Sequence, residues 1–191
     1  MIIKKHKVIF VHIPKTAGTA IEVYFGSQHG GLCIQPEKHD DIFKIKKKFP
    51  EIYNSYRKFT IVRNPYDRVL SYYFYLRRNV LRDAPNVRIV DFNEWIKYPK
   101  KLSYNFNIGG YADDAIFFNL PQYYWVDETV TILKFENLKE ELDLFFGEEI
   151  DLPVVNKSEH DHYSKYYNRE SLDIVYNRHK EDFDEYNYKK L

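Results

Sequence analysis

Cysteine is nearly missing from this chain: Cys33 stands alone in 191 residues. An internal disulfide is thereby excluded, and nothing marks an oxidising compartment. No apolar run approaches the length of a membrane span, and the N-terminus moves straight into an apolar stretch. A cytoplasmic protein without a membrane span is therefore expected. An excess of charge is absent as well, since Lys+Arg 29 against Asp+Glu 28 leaves a formal net charge of +1. That disfavours a globally basic nucleic-acid binder, although local patches stay open. No internal repeat and no linker interrupts the chain, so one domain over residues 1–191 is expected, long enough to build a real core.

Aromatic residues, by contrast, are plentiful: they make up 18% of the chain, with Tyr 18 and Phe 14. Tyrosines can line a sugar site, the ring face packing on sugar C–H groups while the hydroxyl bonds. For any single Tyr, filling the core or the surface is the preferred reading.

The chain is organised around Val8-Ile9-Phe10-Val11-His12-Ile13-Pro14-Lys15-Thr16-Ala17-Gly18-Thr19-Ala20. Its apolar, β-branched start reads as a buried strand, and Pro14, which donates no ladder hydrogen bond, stops it. Small, polar and basic residues follow, and then an amphipathic run (Ile21, Tyr24, Phe25) that closes on Gly26. Strand, tight loop and helix place the loop's N–H groups at the positive end of the helix, a ready anion site. Lys15 adds a mobile cation, and Thr16 and Thr19 add hydroxyl donors. The implied ligand carries a phosphate or a sulfate. A Walker A loop would place Lys after its last Gly, whereas Lys15 precedes Gly18.

Further along, Ser27 to Pro36 reads as a loop, with a short strand at Leu32-Cys33-Ile34. His39-Asp40-Asp41 opens a helix to about Phe49, its end crowded by Lys44, Lys46, Lys47 and Lys48. That lysine run complements the helix dipole, which is preferred to a polyanion site. Phe59-Thr60-Ile61-Val62 is a second buried strand. Asn64 caps the helix after it, with Pro65 in the first turn, and this helix runs to roughly Asn79 with Val69, Tyr73, Leu76 and Val80 on one face. A short helix is predicted over Phe92 to Lys97, within a segment from Leu81 to about Tyr111 that carries either substrate choice or a solvated connector. Thr129 to Phe135 is a third strand, followed by a helix from Glu136 to Phe146 that ends at Gly147. The last helix spans Arg169 to His179, before an acidic-aromatic and then basic tail. Strands alternating with helices predict an α/β fold with a central parallel sheet flanked by helices, ligands lying at the carboxyl ends of the strands.

The second anchor is Ile61-Val62-Arg63-Asn64-Pro65-Tyr66-Asp67-Arg68-Val69-Leu70-Ser71. Arg63 stands at a strand's carboxyl end, on the same edge as the Lys15 loop, with Ser71 on the helix behind it. A guanidinium and a helix hydroxyl can meet on one phosphate. Arg68 reads as structural, pairing with an acidic neighbour such as Asp67 or with a helix end.

Pro14-Lys15-Thr16-Ala17-Gly18-Thr19 resembles the 5′-phosphosulfate loop of sulfotransferases that use 3′-phosphoadenosine 5′-phosphosulfate (PAPS). The resemblance is to the carbohydrate and heparan-sulfate 2-O type and to their short bacterial relatives. The Arg63 to Ser71 stretch resembles the 3′-phosphate motif of the same enzymes. Phe135-Glu136-Asn137-Leu138 and Leu152-Pro153 to Asn156 are similar to the family's C-terminal pattern. The likeness covers most of the chain and thins between Leu81 and Pro121. It implies a P-loop-type three-layer fold and the PAPS site residues Lys15, Thr16, Ala17, Gly18, Thr19, Ala20, Arg63 and Ser71, with Lys157 able to touch the nucleotide. It implies that His39, in Glu37-Lys38-His39, is the catalytic base, and that Lys15 also acts catalytically on the bridging oxygen. The product would be adenosine 3′,5′-bisphosphate and the acceptor a hydroxyl, most naturally of a sugar or glycan, with no metal required. Many relatives are membrane-anchored in the secretory pathway; a chain without that anchor points to a bacterial-type or viral-type cytoplasmic version.

Alternatives stay open. His39 also reads as a helix-capping or surface histidine, His12 as packing against or orienting the loop, and His160 and His162 as loop residues able to reach the site. A P-loop nucleotide kinase would use Thr16 for Mg²⁺ but needs an Asp at a strand end, which none of the confident strands has. A non-catalytic relative that binds a nucleotide or polyanion is the third reading. Neither the acceptor nor the oligomeric state is legible.

Overall fold

The structure is a computed structural model, and it describes residues 1–28, 33–34, 37–98, 120–155 and 160–191. In chain order its α-helices are α1 (Gly18–Gln28), α2 (Ile42–Lys48), α3 (Pro50–Ser55), α4 (Pro65–Asp83), α5 (Phe92–Trp95), α6 (Leu138–Phe146), α7 (Arg169–Arg178) and α8 (Lys180–Glu185). The chain divides into two compact units, Met1–Arg63 with Gln122–Lys157, and Asn64–Pro121 with Ser158–Leu191.

The first unit holds the sheet. Among the described residues its strands are β1 (Ile2–Ile3), β2 (Val8–Val11), β3 (Cys33–Ile34), β4 (Arg57–Val62) and β5 (Thr131–Lys134), in the spatial order β3-β1-β2-β4-β5. β2, β4 and β5 run parallel, as the α/β reading expects of a P-loop-like fold. β1 is antiparallel to both β2 and β3, so the expected parallel sheet is mixed at one edge. Two-residue strands carry too little alternation to be read from sequence.

Register explains the core. Phe10 lies opposite Phe59 with their rings stacked 5.0 Å apart. On that face Val8, Phe10, Phe59, Ile61 and Leu133 pack with Ile21 and Phe25 of α1 and Leu142 of α6. The alternate residues Ile9, Val11, Thr60 and Val62 are buried as well, so β2 and β4 are covered on both faces, the condition for near-continuous apolar strands.

Helix ends follow local chemistry. The Asp41 carboxylate accepts from Lys44 N at 2.8 Å and starts α2. Pro50, just past the expected end of the lysine-rich helix, sits at the first position of α3; proline suits that position because its missing N–H would be unpaired there anyway. α1 runs past Gly26 to Gln28, since a mid-helix glycine costs only about 1 kcal/mol and does not end a helix. The helix expected from Glu136 begins with a 3₁₀ turn over Phe135–Asn137 and closes on Gly147, whose φ of 72° is the left-handed cap glycine favours.

The second unit is built on α4. Asn64 caps it by accepting from Tyr66 N at 3.0 Å, and the helix reaches Asp83, one turn beyond the expected end. Val69, Tyr73, Leu76 and Val80 face a core shared with Val90, Phe92, Trp95, Val175 and Phe183. Tyr66, Tyr72 and Tyr73 are buried in that cluster, so much of the tyrosine in this unit is core. α8 spans Lys180–Glu185 and overlaps the start of the acidic-aromatic tail, for which the sequence predicts no element. Gly30, Gly31, Leu32, Lys100, Lys101, Gly109, Gly110 and Lys157 lie outside the described residues.

Candidate functional site

The loop between β2 and α1 is built from residues in costly conformations. Lys15 (φ 71°) and Ala17 (φ 68°) are both left-handed without being glycine, a state costing about 1–2 kcal/mol per residue. Such backbone, alternating into a helix N-terminus, turns successive N–H groups toward one point and forms an anion-binding concavity. Gly18 and Thr19 open α1, and their amides by position lack a carbonyl one turn back. Ala20 N already bonds to Ala17 O at 2.9 Å. The first turn of α1 carries no acidic residue. Thr16 is fully buried, and its hydroxyl donates to Ile13 O at 2.9 Å. That hydrogen bond braces the loop against the strand.

Gly18 is set by a steric demand. A Cβ there would lie 2.0 Å from Cδ2 and Nε2 of His12, so the imidazole rests directly against the helix start. The ring cannot swing away. Its Nδ1 donates to Glu22 Oε1 at 2.8 Å, and it stacks on Phe10 at 5.6 Å. Burial lowers the His12 pKa to about 4, against the opposing pull of Glu22, so the ring is neutral at pH 7. Burial alone would raise the Glu22 pKa; the His12 hydrogen bond and Lys38, whose ammonium lies 3.6 Å from Glu22 Oε2, outweigh it and lower it.

His39 joins this arrangement through the backbone. Its Nδ1 lies 3.1 Å from His12 O. A carbonyl only accepts, so Nδ1 carries a proton, and in the neutral ring the lone pair then sits on Nε2. The ring meets His12 edge-on at 4.6 Å and lies 6.4 Å from Trp125. Asp40, its neighbour, is buried and accepts from Lys48 Nζ at 2.7 Å.

Arg63 ends β4. Its guanidinium donates to Lys15 O at 3.2 Å and lies over the Phe135 ring at 4.2 Å. Buried Gln122 clamps its backbone: Arg63 N donates to Gln122 Oε1 and Gln122 Nε2 donates to Arg63 O, both at 2.9 Å. The amide thus stands in for a strand partner where the strand stops. Lys15, Arg63 and Phe135 follow the carboxyl ends of β2, β4 and β5, the edge where open α/β sheets bind ligands.

The structure therefore brings together, in the first unit, Lys15, Thr16, Ala17, Gly18, Thr19, Ala20, Arg63 and His39. Ser71 belongs to the second unit, on α4, and is buried. Arg68 there is buried with its pKa lowered to about 10 by desolvation. It donates to Leu120 O at 3.2 Å, and the acid whose charge supports it is Asp182. His160 stacks on Phe74 at 5.0 Å, and His162 caps a 3₁₀ turn. Glu22, Gln122 and Trp125 were missed from sequence. Phe135 stood in a quoted stretch without a role.

Among the described residues no group of three or more His, Cys, Asp or Glu could hold a metal ion, and no helix is long and apolar enough to cross a membrane. No curated protein and no solved structure matches the chain. The model of the Sulfotransferase family matches residues 1–108, which covers β1 through α5 and, with them, the Lys15 loop, His39, Arg63 and Ser71. With more than half its length under that match, this chain is a member of the sulfotransferase family.

Proposed function

We propose that the protein moves a sulfuryl group from PAPS to a carbohydrate hydroxyl and releases adenosine 3′,5′-bisphosphate. The observation that carries this is the left-handed Lys15 and Ala17 at the N-terminus of α1, with Arg63 bonded to the loop carbonyl. The donor set suits a phosphosulfate, because helix-start amides, a lysine and an arginine are all donors and the first turn of α1 carries no acid. Lys15, Thr16, Ala17, Gly18 and Thr19 take the 5′-phosphosulfate, and Ala20, whose N–H bonds Ala17 O, closes the turn behind them. By the family resemblance Arg63 and Ser71 take the 3′-phosphate, and Lys157 lies along the nucleotide. The sugar acceptor rests on that resemblance, and a cytoplasmic location on the single Cys33.

In the reaction His39 Nε2 accepts the hydroxyl proton as the acceptor oxygen bonds to sulfur. The bond from sulfur to the 5′-phosphate oxygen breaks, and that oxygen leaves with the electron pair. Lys15 and the α1 amides meet its growing charge, an interaction stronger in the transition state than before it.

A thermal-shift panel tests the donor. Adenosine 3′,5′-bisphosphate raises the melting temperature without added metal, because a ligand selective for the folded state stabilises it by mass action. ATP with Mg²⁺ raises it far less. Stabilisation by ATP–Mg²⁺ alone would replace this reading with a P-loop kinase.

A further inference from the structure

Glu22 has an unusual position for a helix carboxylate. It lies one turn into α1 and is half-buried, its side chain 17% exposed. One oxygen holds the ring of His12 at 2.8 Å, and the other faces the ammonium of Lys38 at 3.6 Å. It therefore touches both segments that deliver His39: the strand end whose His12 carbonyl bonds His39 Nδ1, and the residue immediately before His39. Partly burying a carboxylate carries a desolvation cost that an ordinary helix position has no reason to bear.

Resting on the reading of His39 as base, we propose that Glu22 is a positioning residue for it. By fixing the His12 ring, Glu22 fixes the carbonyl that keeps the proton on His39 Nδ1 and the lone pair on Nε2. The same ring seats Gly18, so one carboxylate aligns the base and the anion loop together. His12 passes the constraint in two directions. Its side chain bears on Gly18 at the head of α1, and its carbonyl bears on His39. Without Glu22, the Nδ1–H of His12 loses its acceptor and the ring is free to turn away from Gly18. Both features then loosen together, a coupling that a surface ion pair would not produce.

The test uses the full chain labelled with ¹⁵N at the histidine rings, His39 being assigned by the loss of its signals in H39Q. In the wild type, long-range proton–nitrogen spectra show His39 protonated on Nδ1 and unprotonated on Nε2. E22A loses that preference and binds adenosine 3′,5′-bisphosphate about tenfold more weakly, the scale of a lost charge-assisted bond. E22Q, whose amide oxygen still accepts from His12, keeps the wild-type tautomer and an affinity within about twofold. The proposal is overturned by a wild-type His39 protonated on Nε2, by an E22A spectrum unchanged at His39, or by an E22Q that loses the tautomer as E22A does. If E22A does not fold, the wild-type and E22Q spectra decide. A wild type that fails to bind the bisphosphate defeats the nucleotide reading alone, because the tautomer is read without ligand.

Discussion

Arg63 and Arg68 flank the start of the same helix and meet opposite surroundings. Arg63 is half-buried, and the groups that hold it include the Lys15 carbonyl and the Phe135 ring. Arg68 is 1% exposed and faces the charge of buried Asp182. Two histidines, by comparison, both lie beside a carboxylate. His12 gives its Nδ1–H to a half-buried carboxylate at 2.8 Å beside the anion loop. His179 is fully buried, 3.8 Å from Asp182, its pKa held well below the ordinary value by burial and then by Arg68 and Arg178. Arg63 lies beside the anion loop of the first unit, whereas Arg68 is buried in the second unit within the field of Asp182.

The largest expected effect lies on the folding side. Arg68→Ala removes a fully buried guanidinium that lies in the field of Asp182 and costs about 3–5 kcal/mol in urea denaturation. A loss no larger than that of an ordinary surface substitution would abolish the distinction between the two arginines.

Arg63→Ala comes next and acts on binding. It weakens adenosine 3′,5′-bisphosphate by about 1.5–3 kcal/mol in calorimetry, while an analogue lacking the 3′-phosphate loses little. Equal losses for both ligands would return Arg63 to the class of Arg68.

The smallest effect compares the histidines through pH. Both have folded-state pKa values below the unfolded 6.5, so the unfolded chain takes up protons first as pH falls. Stability is complete above pH 6.5 and declines below it, for His12 down to about pH 4. Between pH 7.5 and pH 5, His12 alone removes about 2 kcal/mol, and His179 adds to the same slope. Denaturation midpoints across this range measure it. His12→Asn flattens the slope in part, and an unaltered slope would show that His12 titrates as an exposed group.

Legibility followed range. The strand, loop and helix around Lys15 were readable because Pro14 and the β-branched run before it act on their neighbours. Arg63 was readable for the same reason, standing between a strand and the Asn64 cap. α3 carries a local signal in Pro50, which suits a first helical position, though no element is expected there from sequence. The Gln122 clamp on Arg63, the His12–Glu22 bond and the His39 anchor on His12 O had no local signature, because each joins segments that only the fold brings together. Thr16 shows the limit from the other side. Its type promises a hydroxyl donor, but the turn back to Ile13 takes that hydrogen, and only coordinates reveal it.

The contact between His12 and Gly18 also bears on how this loop can change over generations. The ring and the missing side chain occupy one parcel of space, so the two positions are not independent sites for substitution. A larger residue at 18 is admissible only after position 12 has shrunk. Shrinking position 12 first removes the ring that Glu22 holds. Each of the two positions is thus tied by packing to the size of the other.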